Sequence, residues 1–155
     1  MNVVTESLEE TYALAEKFIH QLTSSAPERV GACVVLLTGD LGSGKTSFVQ
    51  GVARALGVME HVTSPTFVLL KNYQIPSTKL QTNHKFQFKN LIHIDAYRLS
   101  AGESAAPLEL EEIFANKENI VLIEWPEHVQ IKYPKESIEL QFRFISENKR
   151  EITTS

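Results

Sequence analysis

Residues 33–57 read CVVLLTGDLGSGKTSFVQGVARALG, and this stretch decides the fold class. Cys33 to Thr38 is a continuous apolar run rich in Val and Leu, bounded by Gly31 and Gly39. A strand buried on both faces of a parallel sheet has this pattern. Gly39-Asp40-Leu41-Gly42-Ser43-Gly44-Lys45-Thr46 fits G-x-x-x-x-G-K-[ST] at every defined position. Phe48, Val49, Val52, Ala53 and Leu56 then fall on one face of a helix, with Gly57 placed for its C-terminal cap. Strand, glycine-rich turn and helix together make a phosphate cradle. The glycines let backbone N–H groups converge on phosphate oxygens, and the positive end of the helix dipole faces the same anion. Lys45 can reach the β- and γ-phosphates, and the Thr46 hydroxyl can ligate Mg²⁺.

Upstream, Ser7 and Glu10 have capping-box spacing. Leu8, Tyr12, Ala15, Ile19 and Leu22 recur at steps of three and four, so a helix is expected over Ser7–Leu22, with Pro27 in the loop beyond. Downstream, Phe67–Tyr73 reads as a strand and the polar stretch Gln74–Asn90 as a long loop or protruding hairpin. Leu91–Asp95 and Ile120–Glu124 are apolar strands that each end in an acid, with a short helix expected near Leu108–Phe114. Ser137–Ile145 alternates Ile138, Leu140, Phe142 and Phe144 with Glu139, Gln141 and Arg143, a half-buried strand of the kind often found antiparallel. Lys149–Thr153 is its expected hairpin partner. The expected architecture is α/β: one domain over residues 1–155, a three-layer sandwich of P-loop NTPase type. Its sheet is mixed and mainly parallel, with a C-terminal antiparallel hairpin.

The 155 residues carry 15 Lys and Arg against 19 Asp and Glu, a formal net charge of −4. That balance argues against a protein whose main task is gripping RNA or DNA, which would more often be basic. Cys33 is the one cysteine, so an internal disulfide is impossible and a buried core thiol is the expected state. MNVVTESLEE has no basic start followed by an apolar stretch, and no apolar run approaches the ~20 residues that span a bilayer. A cytoplasmic location with no membrane or DNA partner is expected.

A phosphate loop works with an acid at the end of a neighbouring strand, which organises the Mg²⁺ shell. Asp95 and Glu124 both qualify, since open α/β sheets bind ligands at the carboxyl ends of their strands. Either can hold Mg²⁺ directly or through water, or polarise an attacking water. Lys45, Asp95 and Glu124 are thus the candidate catalytic residues. His93 lies two positions before Asp95; a packed or hydrogen-bonded role is favoured for it over metal ligation. Arg98 can meet a phosphate or a carboxylate.

GDLGSGKTSF at 39–48, VTSPTF at 62–67, HIDAYRL at 93–99 and IEWPE at 123–127, in this order and spacing, resemble the bacterial TsaE (YjeE) family. These are small ATPases needed to make threonylcarbamoyladenosine next to the tRNA anticodon. The resemblance covers nearly the whole chain. It implies that Leu41, Gly42, Ser43, Gly44, Lys45 and Thr46 cradle the phosphates of ATP, and that Thr46 and Glu124 bind Mg²⁺. It implies a switch-like loop at Thr63–Thr66 near the γ-phosphate, a role for Asp95 in ATP hydrolysis, and a site-flanking Trp125. Leu8 and Thr11 would lie on the adenine side, and Arg150 would match a late basic residue near the nucleotide. The implied partner is the TsaD–TsaB pair, which transfers the threonylcarbamoyl group, so contact with tRNA would be indirect. The chain departs from the family in its longer Gln74–Asn90 stretch and in Leu108-Glu109-Leu110, where Leu-Gly-Leu is usual.

Between His61 and Ile94 there is no Asp or Glu, while Lys71, Lys79, Lys85 and Lys89 interleave with Tyr73, Phe86 and Phe88. Such a stretch can touch tRNA or an acidic partner face; a solvated loop is the plainer reading. Among rival functions, a small-molecule P-loop kinase would need an Arg-rich lid, and only Arg54, Arg98, Arg143 and Arg150 follow the loop. A GTPase would need N-K-x-D after a strand, but Asn116-Lys117-Glu118-Asn119 lacks the Asp and precedes one. A nucleotide-dependent binding module without catalysis shades into the first reading, since a slow ATPase can act chiefly as a switch.

Overall fold

The computed structural model describes residues 2–25, 29–65, 69–76, 88–99 and 109–154. In chain order the elements are β1 (Asn2–Thr5), α1 (Leu8–Ser25), β2 (Cys33–Gly39), α2 (Lys45–Ala55), β3 (Leu70–Gln74) and β4 (Asn90–Asp95). They continue with α3 (Leu110–Ala115), β5 (Asn119–Glu124), a 3₁₀ turn (Pro126–His128), β6 (Ile138–Phe144) and β7 (Arg150–Thr154). The strands form one seven-stranded sheet in the order β1-β7-β6-β2-β5-β4-β3.

The four central strands β6, β2, β5 and β4 run parallel, while β3, β7 and β1 pair antiparallel at the two sides. The alternating strand β6 is parallel to β2 and antiparallel only to β7. Its alternation reports one covered and one open face, not strand direction. The edge strand β1, which the sequence pattern did not reveal, adds to β7 in the register Asn2↔Thr153 to Thr5↔Arg150.

Alternate side chains of the central strands feed two apolar layers. Cys33, Val35, Leu37, Ile120, Leu122 and Leu140 pack against Leu14, Ala15 and Phe18 of α1 and Phe48, Val49 and Val52 of α2. On the other face Val34, Ile92, Ile94, Val121 and Ile123 meet Leu110 of α3 and Val129, with Ile113 and Phe114 packed against them. This is the expected three-layer sandwich. No helix among the described residues is long and apolar enough to cross a membrane.

The caps follow the sequence signals. Ser7 Oγ accepts the Glu10 N–H at 3.1 Å, and the Glu10 carboxylate reaches back to the Glu6 N–H at 2.7 Å. At the end of α2, Gly57 (φ 75) donates to Arg54 O and Val58 donates to Ala53 O, the paired bonds of a Schellman motif. The departure at Glu109 also has a structural answer: Glu109 itself adopts φ 48, ψ 43 at the start of α3, the left-handed conformation a glycine takes without penalty.

The expectation of an exposed basic and aromatic stretch is corrected where it can be seen. Tyr73 and Phe88 are buried core residues, because β3 and the approach to β4 turn those rings inward. Lys71 donates to Thr63 Oγ1 at 3.0 Å, and Lys89 pairs with Glu118 at 2.6 Å. Lys79, Lys85 and Phe86 lie outside the described residues.

Candidate functional site

The carboxyl ends of β2, β4 and β5 converge on one end of the sheet. In-register pairing sets Asp95 of β4 directly beside Glu124 of β5, and Glu124 beside Leu37 of β2. The loop from Gly39 to Thr46 leaves β2 at this edge and enters α2 at Lys45. Gly39, Gly42 and Gly44 all have positive φ (130, 75 and 99). At Gly39 the demand is also steric, since an added Cβ would lie 2.1 Å from the Phe142 carbonyl oxygen.

Lys45 folds back under this loop. Its Nζ donates to Gly39 O at 2.6 Å and Asp40 O at 2.8 Å, and lies 4.2 Å from the centre of the Trp125 ring. The residue is 4% exposed. Burial pushes its pKa below the ordinary lysine value, while Glu124, Glu127, Asp95 and Asp40 pull the other way. Trp125 holds φ 57, a left-handed conformation, and its N–H donates to Leu37 O at 3.2 Å. Its ring is stacked on His128 and tilted against Tyr97, with centroids at 5.4 and 5.1 Å.

Thr46 Oγ1 contacts both oxygens of Glu124, at 2.8 and 3.0 Å. Glu124 is buried, and its Oε1 is also 2.9 Å from His93 Nε2. The sequence reading that favoured a hydrogen bond for His93 holds, and the partner is the candidate metal-binding acid. Asp95 is held differently: Oδ2 accepts the Ser64 hydroxyl at 2.5 Å and Oδ1 accepts the Tyr97 N–H at 3.0 Å. Ser64 belongs to the segment read as a switch-like loop; Thr66 of that segment lies outside the described residues.

Lys45, Thr46, Ser64, Asp95 and Glu124 line a cavity of about 860 Å³. It contains Leu41 to Thr46, Asp95, Glu124 and Trp125, and also Leu8, Thr11, Arg98 and Arg150. The sites proposed from sequence, apart from Thr66, are therefore brought together. Their availability differs. Leu8 is 46% exposed, whereas Thr11 is buried with its hydroxyl donating to Ser7 O and paired with Thr5 Oγ1. Thr11 thus offers the cavity a surface more than a hydrogen bond. Arg150 Nη1 donates to Ser146, Glu147 and Lys149 carbonyls, and its stem passes Gly44. Ser64, Tyr97, Glu147 and Asn148 also line the cavity. Sequence reasoning did not name Glu147 or Asn148, and nothing in the polar turn between two strands distinguishes them.

Chemically, the cavity offers backbone donors and a buried ammonium at one point, with a hydroxyl and a carboxylate beside it. Thr46 and Glu124 are hard oxygen donors, the kind that suit Mg²⁺ over a softer metal. Among the described residues no group of three or more His, Cys, Asp or Glu side chains converges as an all-protein metal cage. A cation here would complete its shell with ligand oxygens and water, as Mg²⁺ commonly does.

Comparison with known proteins identifies the family. The sequence model of the family described as "Threonylcarbamoyl adenosine biosynthesis protein TsaE" matches residues 5–152. The TsaE protein of Treponema pallidum is 35% identical over 122 residues, covering 79% of this chain and 81% of its own. That of Aquifex aeolicus is 35% identical over 152 residues, covering 97% and 92%. The crystal structure of YdiB from Bacillus subtilis superposes with a TM-score of 0.69 at 28% identity, covering 99% of this chain and 83% of that one. The chain belongs to the TsaE family, the proteins of tRNA threonylcarbamoyladenosine biosynthesis.

Proposed function

We propose that this protein binds ATP with Mg²⁺ in the cavity over Gly39–Thr46 and hydrolyses it slowly, acting on a TsaD–TsaB-type complex that modifies tRNA. The observation that carries the reading is the joint placement of three groups. The buried Lys45 ammonium lies under the loop, and Thr46 is bonded to Glu124 at 2.8 Å at the mouth of α2. Phosphate oxygens would accept hydrogen bonds from Lys45 and from the backbone N–H groups of Leu41 to Thr46.

Mg²⁺, when bound, would draw charge from the β- and γ-phosphate oxygens. Thr46 and Glu124 would hold it, the hydroxyl keeping lone pairs free while it donates to the carboxylate. In hydrolysis a water oxygen bonds to the γ-phosphorus as the bond to the β–γ bridging oxygen breaks. Lys45 offsets the negative charge that builds on the phosphate oxygens. Asp95 or Glu124, neighbours on adjacent strands, orients the water. Trp125 lines the cavity with an aromatic face against the Lys45 ammonium. A site that a partner completes would turn over slowly in the isolated chain, and contact with tRNA would then be indirect.

The test is Mg²⁺-dependent ATP hydrolysis by the purified protein, alone and with a TsaD–TsaB pair, with Lys45→Ala as control. Weak activity that changes sharply with the pair and vanishes in the variant is expected. Hydrolysis indifferent to the pair but raised by a small metabolite would replace this reading with that of a small-molecule kinase.

A further inference from the structure

His93 is fully buried in the middle of β4. It shares a strand face with Leu91 and Asp95, the face turned toward α1 and α2. Its neighbours across the ladder are Leu122 of β5 and Lys71 of β3. An aliphatic side chain would suit that layer, and the imidazole brings a cost with it. Nδ1 is buried and has no hydrogen-bond partner among the described residues, which is unfavourable for a ring nitrogen removed from water. The other nitrogen makes one contact, Nε2 to Glu124 Oε1 at 2.9 Å. A carboxylate only accepts, so Nε2 carries the hydrogen.

We propose that His93 is the positioning residue of the cation site: it holds Glu124 in the rotamer that presents the carboxylate to Thr46 and to Mg²⁺. The proposal rests on the nucleotide and Mg²⁺ reading above. Glu124 has flexible side-chain torsions and ends β5, where Trp125 turns sharply away in a left-handed conformation. Thr46 holds it from the α2 side. The His93 hydrogen bond comes from the strand beneath and ties Oε1 at a second point. Outer partners of this kind orient ligating groups, and their loss typically weakens metal affinity about 10- to 100-fold. The phosphate grip is built from the backbone of Leu41 to Thr46 and the Lys45 ammonium, none of which touches His93.

The experiment measures ADP binding by calorimetry in EDTA and across a Mg²⁺ titration, for the intact chain, His93→Leu, His93→Gln and His93→Asn. The Gln amide nitrogen can take the place of Nε2, whereas Asn is too short to reach Glu124. Expected for His93→Leu and His93→Asn is ADP affinity in EDTA within about twofold of the intact chain, with half-saturating Mg²⁺ raised roughly tenfold or more. His93→Gln should restore most of the Mg²⁺ response. If His93→Leu does not fold, the Asn and Gln pair carries the comparison, with melting curves confirming their fold. Unchanged Mg²⁺ dependence in the Asn or Leu variant overturns the positioning role. So does loss of ADP affinity in EDTA by the same factor as in Mg²⁺. An intact chain whose ADP binding ignores Mg²⁺ would instead overturn the functional reading on which the proposal stands.

Discussion

Thr46 Oγ1 sits 2.8 Å from Oε1 and 3.0 Å from Oε2 of Glu124, a contact between residues 78 positions apart in the chain. Parallel pairing of β2 with β5, in the register Leu37↔Glu124, brings them together. The acid ends its strand at the level where the loop after β2 turns into α2. The hydroxyl and carboxylate are thereby set facing each other.

That orientation predicts a graded series. Thr46→Ser, which keeps the hydroxyl, should retain most Mg²⁺-dependent hydrolysis. Thr46→Ala and Glu124→Gln should lose it by on the order of a hundredfold, as loss of a ligating group exceeds the cost of losing its outer partner. Steady-state phosphate release against Mg²⁺ concentration measures this, and equal rates for Ser and Ala at position 46 would contradict it.

Asp95 is predicted to act on the reaction more than on binding. Its oxygens are held by Ser64 at 2.5 Å and the Tyr97 N–H at 3.0 Å, an arrangement that aims the carboxylate without a direct tie to the phosphate loop. Asp95→Asn should keep ADP affinity while hydrolysis falls on the order of 10²-fold, the usual contribution of a positioned base. Parallel loss of affinity and rate would place Asp95 among the binding groups.

The glycines of the loop should separate by mechanism. At Gly39 (φ 130) a Cβ would lie 2.1 Å from Phe142 O, so Gly39→Ala should destabilise the fold by about 3 kcal/mol or more through combined strain and overpacking. At Gly42 (φ 75) nothing lies within 4 Å of an added Cβ, and only the left-handed backbone resists, at a cost of about 1 kcal/mol. Urea unfolding of the two variants provides the comparison; similar midpoints would refute the packing argument.

Cys33 is fully buried, and burial raises its thiol from 9.0 to about 11 against the lowering influence of Arg29. The folded protein therefore holds this proton more tightly than the unfolded chain. The associated stability is fully present below pH 9 and is lost as pH rises toward 11. At pH 8 the native thiol should react with Ellman's reagent very slowly, because only about a thousandth is thiolate, and should react promptly in denaturant. Fast reaction of the native protein would show that the strand opens.

Much of the fold was legible because local rules agreed with the tertiary outcome. Ser7 and Glu10 have capping spacing, and Ser7 Oγ caps the Glu10 N–H while the Glu10 carboxylate accepts the Glu6 N–H one residue before the cap. The apolar runs at Cys33 and Ile120 are strands buried on both faces. Where reading fell short, the missing term was non-local. The edge strand Asn2–Thr5 has no distinctive period and exists because β7 supplies its hydrogen bonds. The alternation of Ile138–Phe144 indicated one open face but not that β2 would pair with it in parallel. Tyr73 and Phe88 looked like interleaved surface aromatics because composition cannot say which side of a strand faces the core.

The candidate site divides in the same way. A contiguous motif is enough to specify the Gly39–Thr46 loop, since its torsions and the helix that follows depend on neighbours in the chain. Asp95 and Glu124 could be named because each ends an apolar run. Their different roles could not, since these depend on what each oxygen touches. Only the folded sheet gives Glu124 to Thr46 and His93, gives Asp95 to Ser64 and Tyr97, and sets Lys45 over the Trp125 ring. Sequence determined the groups present at the ends of the strands. Strand order and register decided which of them lie within hydrogen-bond reach, because pairing between distant segments sets their spacing.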